Sequence, residues 1–192
     1  MINDITAVIL AQGKNSRIGL EKCLLKEAGV TIIQKEIVVL SKIFSRLIII
    51  SSKKKLKNIL PDFEFYDDIY QDIGPLGGIH SALKHAKTVF VVASDMPNLS
   101  EELILKQIEI YKNATVDILV PRHKEGIEPL HSIYSHKCLI PIEENITQKI
   151  YSIRKFYDRL NVGYIDLQDS DIKCFFNVNT LEDYQKLFNE LS

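Results

Sequence analysis

The residues best suited to chemistry come early, in Leu10-Ala11-Gln12-Gly13-Lys14-Asn15-Ser16-Arg17-Ile18-Gly19-Leu20-Glu21-Lys22. An apolar run from Ile5 to Ala11, broken only by Thr6, feeds a small polar loop with two cations five residues apart. A buried strand opening into a loop of free backbone N–H groups and fixed positive charge is a phosphate-binding device. Gly13 can take φ > 0 and let a phosphate approach the backbone. Arg17 can fork to two phosphate oxygens, and Lys22 can act as a point charge. Neither G-x-x-x-x-G-K-[ST] nor G-x-G-x-x-G occurs, so the loop is neither a Walker A loop nor a dinucleotide fingerprint. The pattern points to a domain that handles a nucleoside triphosphate; the plainer reading is a solvated loop with surface cations.

Three further groups bear on the same chemistry. Asp95 ends the apolar stretch Val89-Phe90-Val91-Val92-Ala93-Ser94 and precedes Met96-Pro97. A carboxylate there can hold Mg²⁺, which takes one or two carboxylates together with substrate phosphates; it can equally be a turn residue. Gly74-Pro75-Leu76-Gly77-Gly78 follows Asp67, Asp68 and Asp72 and predicts a fixed backbone at a helix start, against which a base or phosphate can lie. Finally, Asn177 and Asn179 alternate in Phe176-Asn177-Val178-Asn179-Thr180, where two amides can hold a polar ligand or simply end a strand and cap a helix.

These residues need elements to place them. Ile5–Leu10, Leu47–Ile50, Phe63–Tyr66 and Val89–Ala93 read as buried strands. Ile118–Val120 reads as another, stopped by Pro121. Ile33, Ile37, Leu40 and Phe44 recur at helical spacing over residues 31–45, and residues 79–86 also look helical. Ser100 followed by Glu101 and Glu102 opens a further helix. Thr180 with Asp183 caps the last one, whose apolar face would be Leu181, Tyr184, Leu187, Phe188 and Leu191. Residues 126–171 are less regular, with antiparallel strands expected at Leu130–Tyr134 and Val162–Ile165. Alternating β and α with continuous apolar strands predicts an α/β fold with a mostly parallel sheet covered on both faces. Ligands in such sheets bind at the carboxyl ends of the strands, where the polar groups above fall.

The 192 residues fit one domain, read here as 1–192 without a linker or repeat. Net charge is −1 and the longest run of like charge is Lys53-Lys54-Lys55, so no nucleic-acid or anionic-membrane partner is expected. No apolar run reaches the roughly 20 residues of a membrane span, and Met1-Ile2-Asn3-Asp4 does not open a signal peptide; a cytoplasmic location is expected. Cys23, Cys138 and Cys174 are odd in number and unpaired in spacing, against a disulfide framework or zinc site. Cys23, nearest the loop, reads as a packing residue. The five histidines lack metal-ligand spacing, and without G-x-S-x-G there is no nucleophile elbow. His131 reads as structural.

As an ordered set, these motifs resemble the molybdenum cofactor guanylyltransferase family, whose pattern is L-A-G-G-x-x-x-R-M-G-x-x-K, D…G-P-L-x-G, an apolar strand ending in D-x-P, and N-x-N-T-x-E-D. The chain has Leu10-Ala11-Gln12-Gly13…Arg17-Ile18-Gly19…Lys22, Asp68…Gly74-Pro75-Leu76-Gly77-Gly78, Asp95-Met96-Pro97 and Asn177-Val178-Asn179-Thr180-Leu181-Glu182-Asp183. Glu128-Pro129-Leu130-His131 and Ser152-Ile153-Arg154 are also similar. Gln12 stands where the pattern has the first glycine of its pair, and Ile18 where it has Met. The aspartate of the second motif is Asp67 or Asp68, with Asp68 favoured.

The resemblance implies a Rossmann-like three-layer nucleotidyltransferase fold and Mg²⁺-dependent transfer of GMP from GTP to molybdopterin carrying molybdenum, with release of pyrophosphate. It implies Asp95 for the metal, Arg17 and Lys22 for the triphosphate, and Leu10, Ala11, Gln12 and Gly13 for the nucleoside. Asp68, Gly74, Pro75 and Leu76 would also contact the nucleotide, and Asn177 and Asn179 would face the pterin side or orient the loops. Transient contact with proteins that deliver or receive the cofactor is implied too. The alternatives are the cofactor's cytidylyltransferase, a cobinamide-phosphate guanylyltransferase, and a catalytically silent nucleotide binder. The asparagines argue against the first, Gly74–Gly78 against the second, and intact Arg17, Lys22 and Asp95 against the third.

Overall fold

The computed structural model describes residues 1–12 and 22–189. The chain begins with β1 (Thr6–Leu10) and a short 3-10 turn (Lys22–Leu24), then a small hairpin of β2 (Lys26–Glu27) and β3 (Val30–Thr31). Helix α1 (Ile32–Ile43) follows, then β4 (Leu47–Ile50), α2 (Lys54–Ile59), β5 (Glu64–Tyr66), α3 (Pro75–His85) and β6 (Thr88–Ala93). The second half runs α4 (Glu101–Asn113), β7 (Ile118–His123), β8 (Gly126–Ile127), β9 (His131–Ser135), α5 (Leu139–Thr147), β10 (Val162–Asp166) and α6 (Leu181–Asn189). The main sheet has the order β10-β7-β9-β6-β1-β4-β5, with β8 added to β7.

Side-chain alternation along the central strands makes the three layers. On β1, Ala7 and Ile9 face α1 and α4, packing with Ile33, Leu40, Ile104 and Ile108. Val8 and Leu10 face the other way, against Leu76, Ile79 and Leu83 of α3 and Ile142 of α5. Both faces being covered explains why these strands are apolar without interruption. Cys23 is buried in the first of these layers, as expected of a small packing residue.

The helix ends follow local chemistry. Thr31 caps α1 in a capping box with Gln34, the hydroxyl accepting from Gln34 N–H at 3.3 Å while Thr31 N–H donates to Gln34 Oε1 at 3.0 Å. Ser100 Oγ caps α4 through Leu103 N–H. Thr180 and Asp183 form the reciprocal cap of α6, at 3.0 and 2.9 Å. Tyr184 packs toward Leu25, Ile32 and Val178; Leu181, Leu187, Phe188 and Leu191 of the expected face lie outside the described side chains.

Three expectations about the elements need correction. Helix α3 begins at Pro75, at the helix start expected over Gly74–Gly78, rather than at Ile79; Pro at the first helical position favours the start, and the two glycines that follow make the first turn look non-helical by propensity. Pro121 does not stop β7, which continues to His123. Pairing with β9 covers only Ile118 and Leu119, and pairing with β8 begins at Arg122, so Pro121 falls where neither antiparallel neighbour pairs with it. Of the two strands expected to be antiparallel, β9 is so, between β6 and β7, but β10 runs parallel to β7. No helix among the described residues is long and apolar enough to cross a membrane.

Candidate active site

The carboxyl ends of β1, β4 and β6 are tied together. Ala11 N–H donates to Ile50 O (3.0 Å), Ser51 Oγ–H to Ala11 O (3.0 Å), and Ser94 N–H to Leu10 O (3.3 Å). Among the described residues the edge borders a pair of adjoining cavities. One, of about 410 Å³, is walled by Leu10, Pro75, Asp95, Glu128, Asn177 and Asn179. The other, of about 370 Å³, lies on the β4–β5 side against Ala11, Ser52, Lys53, Asp68 and Gln71. Gln12 and Gly74 border both.

Asp95, Lys22 and Asn179 meet at the first cavity. Lys22 Nζ donates to Asn179 Oδ1 at 2.6 Å and stands 3.5 Å from Asp95 Oδ2. The C-terminal segment is brought there by Val178 N–H, which donates to Asp95 O at 3.0 Å, and by packing of Met96 with Leu103, Cys174 and Phe175. Burial raises the Asp95 pKa above its ordinary value, and the Lys22 ammonium partly offsets this. Asn177 lines the same cavity, its amide donating to Phe175 O at 3.0 Å.

Asp68 and Asp67 have different surroundings. Asp67 pairs with Lys57 at 2.9 Å on the surface. Asp68 lines the second cavity and accepts on Oδ1 from Ser81 Oγ–H (3.1 Å) and Tyr70 N–H (3.2 Å). Its pKa is raised, mainly by burial, with the Ser81 and Tyr70 hydrogen bonds and the nearby Gln12 amide acting the other way. Among the described residues no hydrogen bond of ordinary geometry holds Gln12 Nε2, which is buried.

Glycine has distinct uses at the three positions of this segment. Gly74 has φ 75° and ψ −160°, a region open only to glycine. A Cβ on Gly77 would meet Tyr70 O at 2.5 Å and Asp68 Oδ1 at 2.9 Å, and one on Gly78 would meet Gln12 Oε1 at 2.8 Å. Thus Gln12, the departure from the family pattern, lies along α3 where Gly78 leaves room and forms part of the wall between the cavities. Pro75 and Leu76 are the first residues of α3; Leu76 is fully buried in the core. Of the expected site residues, Gly13 and Arg17 lie outside the described residues.

Two carboxylates were missed as site residues. Glu36 of α1 is 1% exposed, and its Oε1 accepts from Met96 N–H at 3.1 Å, fixing the turn that carries Asp95. Burial holds its pKa well above the ordinary glutamate range. Its sequence signal is position: Glu36 falls within the apolar stripe Ile33-Ile37-Leu40. Glu128 borders the first cavity from the β8–β9 turn.

Among the described residues no three His, Cys, Asp or Glu side chains converge as a metal site. A single semi-exposed carboxylate suits a divalent ion that arrives with substrate phosphates, not one in an all-protein cage.

The sequence pattern described as the MobA-like NTP transferase domain matches residues 7–162. The chain belongs to this family. It is 35% identical over 188 residues to a probable molybdenum cofactor guanylyltransferase of Pelotomaculum thermopropionicum, covering 94% of this chain and 90% of that one. It is 31% identical to the molybdenum cofactor guanylyltransferase of Syntrophotalea carbinolica, over 94% and 89% of the two chains. Among solved structures, the molybdopterin-guanine dinucleotide biosynthesis protein A of Archaeoglobus fulgidus superposes with a TM-score of 0.84 at 28% identity, covering 95% of this chain and 96% of that one. A 4-diphosphocytidyl-2C-methyl-D-erythritol synthase from Anaerococcus prevotii shares the fold at TM-score 0.72 and 16% identity. The chain is therefore a nucleotidyltransferase of the three-layer α/β type, as its motifs imply.

Proposed function

We propose that this site transfers GMP from GTP to the terminal phosphate of molybdopterin, forming molybdopterin guanine dinucleotide and pyrophosphate. The observation that carries the reading is the meeting of Lys22, Asp95 and Asn179 at the first cavity, beside the Gln12 and Gly74 wall that it shares with the second. An oxygen of the acceptor phosphate forms a bond to the α-phosphorus of GTP, the bond from that phosphorus to the β-phosphate oxygen breaks, and pyrophosphate carries away the electron pair. This chemistry needs positioning and charge neutralisation and no protein nucleophile.

Lys22 supplies positive charge to the triphosphate and the departing pyrophosphate. Bound triphosphate would draw its ammonium from Asn179, leaving that amide for the acceptor. Asp95, released from Lys22, would hold Mg²⁺ with the phosphates, and the ion would neutralise charge on the α-phosphate and leaving group. The nucleoside lies along Leu10–Gln12 toward the second cavity, with Asp68 near base or ribose. Residues 1–192 work in this reading as one nucleotidyltransferase domain. In this reading the enzyme also makes transient contact with proteins that hand on or receive the cofactor.

The test is product formation from molybdopterin with GTP, CTP or ATP and Mg²⁺, read as pyrophosphate release and as dinucleotide by mass. GTP alone should support it. Preference for CTP overturns the base assignment, and nucleotide binding without turnover overturns the enzymatic reading.

A further inference from the structure

Glu128 and His123 form a pair that the reaction chemistry does not use. His123 Nδ1 accepts from Glu125 N–H at 3.2 Å, so the other ring nitrogen carries the proton. That N–H, on Nε2, donates to Glu128 Oε1 at 2.9 Å. The backbone is pinned as well: Glu128 N–H donates to Pro121 O (2.9 Å), and Ser132 Oγ–H donates to Glu128 O (2.6 Å). Both side chains are largely but not wholly buried, 17% exposed for His123 and 23% for Glu128. The result is a carboxylate fixed in orientation through one oxygen, its other oxygen without a partner among the described residues.

Its location gives it an object. Glu128 borders the cavity that holds Asp95 and also a neighbouring one of about 330 Å³, walled by His123, Ile172, Lys173, Phe175 and Phe176. In the sheet, β9 and β7 lie on one side of β6, while β1, β4 and β5 lie on the other. The cavity beside Asp68 is on the β4–β5 side. Two reactants meeting at Asp95 therefore approach from opposite sides, the nucleoside over β4–β5 and the acceptor over β9–β7.

We infer that Glu128, oriented by His123, is a specificity-determining residue that reads the 2-amino-4-oxopyrimidine edge of a pterin acceptor. That edge presents an N3–H and a 2-amino group side by side, two donors that a carboxylate accepts together. The aromatic and aliphatic wall of Phe175, Phe176 and Ile172 suits a flat heterocycle. This inference rests on the acceptor named above. A site built around a buried acceptor rejects an analogue that lacks the matching donor, because the carboxylate is then left desolvated without a partner.

The experiment uses the full chain with Mg²⁺ and a non-hydrolysable GTP analogue at saturation, titrated with pterin and with lumazine, which has a 2-oxo group in place of the 2-amino group. Pterin should bind about 10- to 100-fold more tightly. Glu128→Gln, and separately His123→Phe, should shrink that ratio toward one while melting like wild type. In turnover, both variants should raise KM for molybdopterin and leave KM for GTP unchanged. Equal binding of pterin and lumazine by wild type overturns the inference. So does an unchanged ratio in Glu128→Gln, or loss of pterin binding when GTP analogue is added, which would put the pterin in the guanine site. Failure of wild type to form dinucleotide, with pterin selectivity intact, would instead overturn the guanylyltransferase reading.

Discussion

Gly77 and Gly78 are adjacent on α3, yet alanine at the two positions should differ in its effect on stability. At Gly77 the new methyl meets the Tyr70 carbonyl oxygen at 2.5 Å, Asp68 Oδ1 at 2.9 Å and Ile73 Cγ1 at 3.0 Å. The nearest of these is backbone of the loop that carries Asp68, so relief requires moving that loop. Overpacking of this kind costs about 1–3 kcal/mol, against a helix-propensity gain of at most about 1 kcal/mol. The net loss is up to about 3 kcal/mol, or up to about 12 °C in Tm for a chain of this size. At Gly78 the methyl meets only the amide end of Gln12, at 2.8 to 3.0 Å. That side chain can rotate away, so Tm should stay within about 2 °C of wild type or rise. Thermal unfolding followed by circular dichroism and initial rates at varied GTP separate the cases. Gly77→Ala should lower Tm and raise KM for GTP; Gly78→Ala should raise KM alone, by displacing Gln12 from the wall between the cavities. If Gly77→Ala melts like wild type, the close approach of Tyr70 is not a constraint and the account of this loop is wrong.

Three further outcomes follow from the site and core. Asp95→Asn should abolish transfer without lowering Tm, because burial already disfavours the charged form in the folded state; full activity would remove Asp95 from the metal role. Glu36→Gln keeps the acceptor for Met96 N–H, and since the folded pKa of Glu36 is raised, wild type should lose stability relative to this variant as pH rises from the ordinary glutamate range. Glu36→Leu should cost about 1–3 kcal/mol through the unpaired Met96 N–H, with activity falling alongside; equal melting of the Gln and Leu variants would contradict this. His131 is fully buried, with neither ring nitrogen hydrogen-bonded among the described residues, and burial drops its pKa from 6.5 to about 4. The unfolded chain then binds the proton first, so stability is lost as pH falls from 6.5 toward 4, on the order of 3 kcal/mol by linkage. In His131→Phe, urea unfolding should show a smaller loss over that interval, and an equal loss would place the titration elsewhere.

The sheet and the polar ends of its strands were legible because buried parallel strands are written as unbroken aliphatic runs and their ligand-bearing loops follow directly. Lys22, Asp95 and Asn179, 157 residues apart at the extremes, could be grouped from motif order and are in contact in the fold. Strand direction was not legible for β10: Val162–Asp166 has the same local pattern whichever way it runs, and the direction is set by the path of the chain between residues 139 and 161. Pro121 misled because its tolerance depends on which neighbours pair beside it. Glu36 and Glu128 were passed over for different reasons. The first is hidden in a helix read for its apolar residues, and the second gains its meaning from His123 across a hairpin.

The reversed direction of β9 has a consequence for how such enzymes can change. The parallel strands place their loops at the reactive edge as the chain leaves the sheet; β9 places Glu128, Pro129 and Leu130 there as the chain enters it. One hairpin, β7 to β9, therefore supplies much of the wall on that side, while the remainder of the edge is built by other segments. Such a division makes the hairpin a graftable cassette: on the reading proposed above, exchanging it among relatives would retarget the acceptor and leave Lys22 and Asp95 in place.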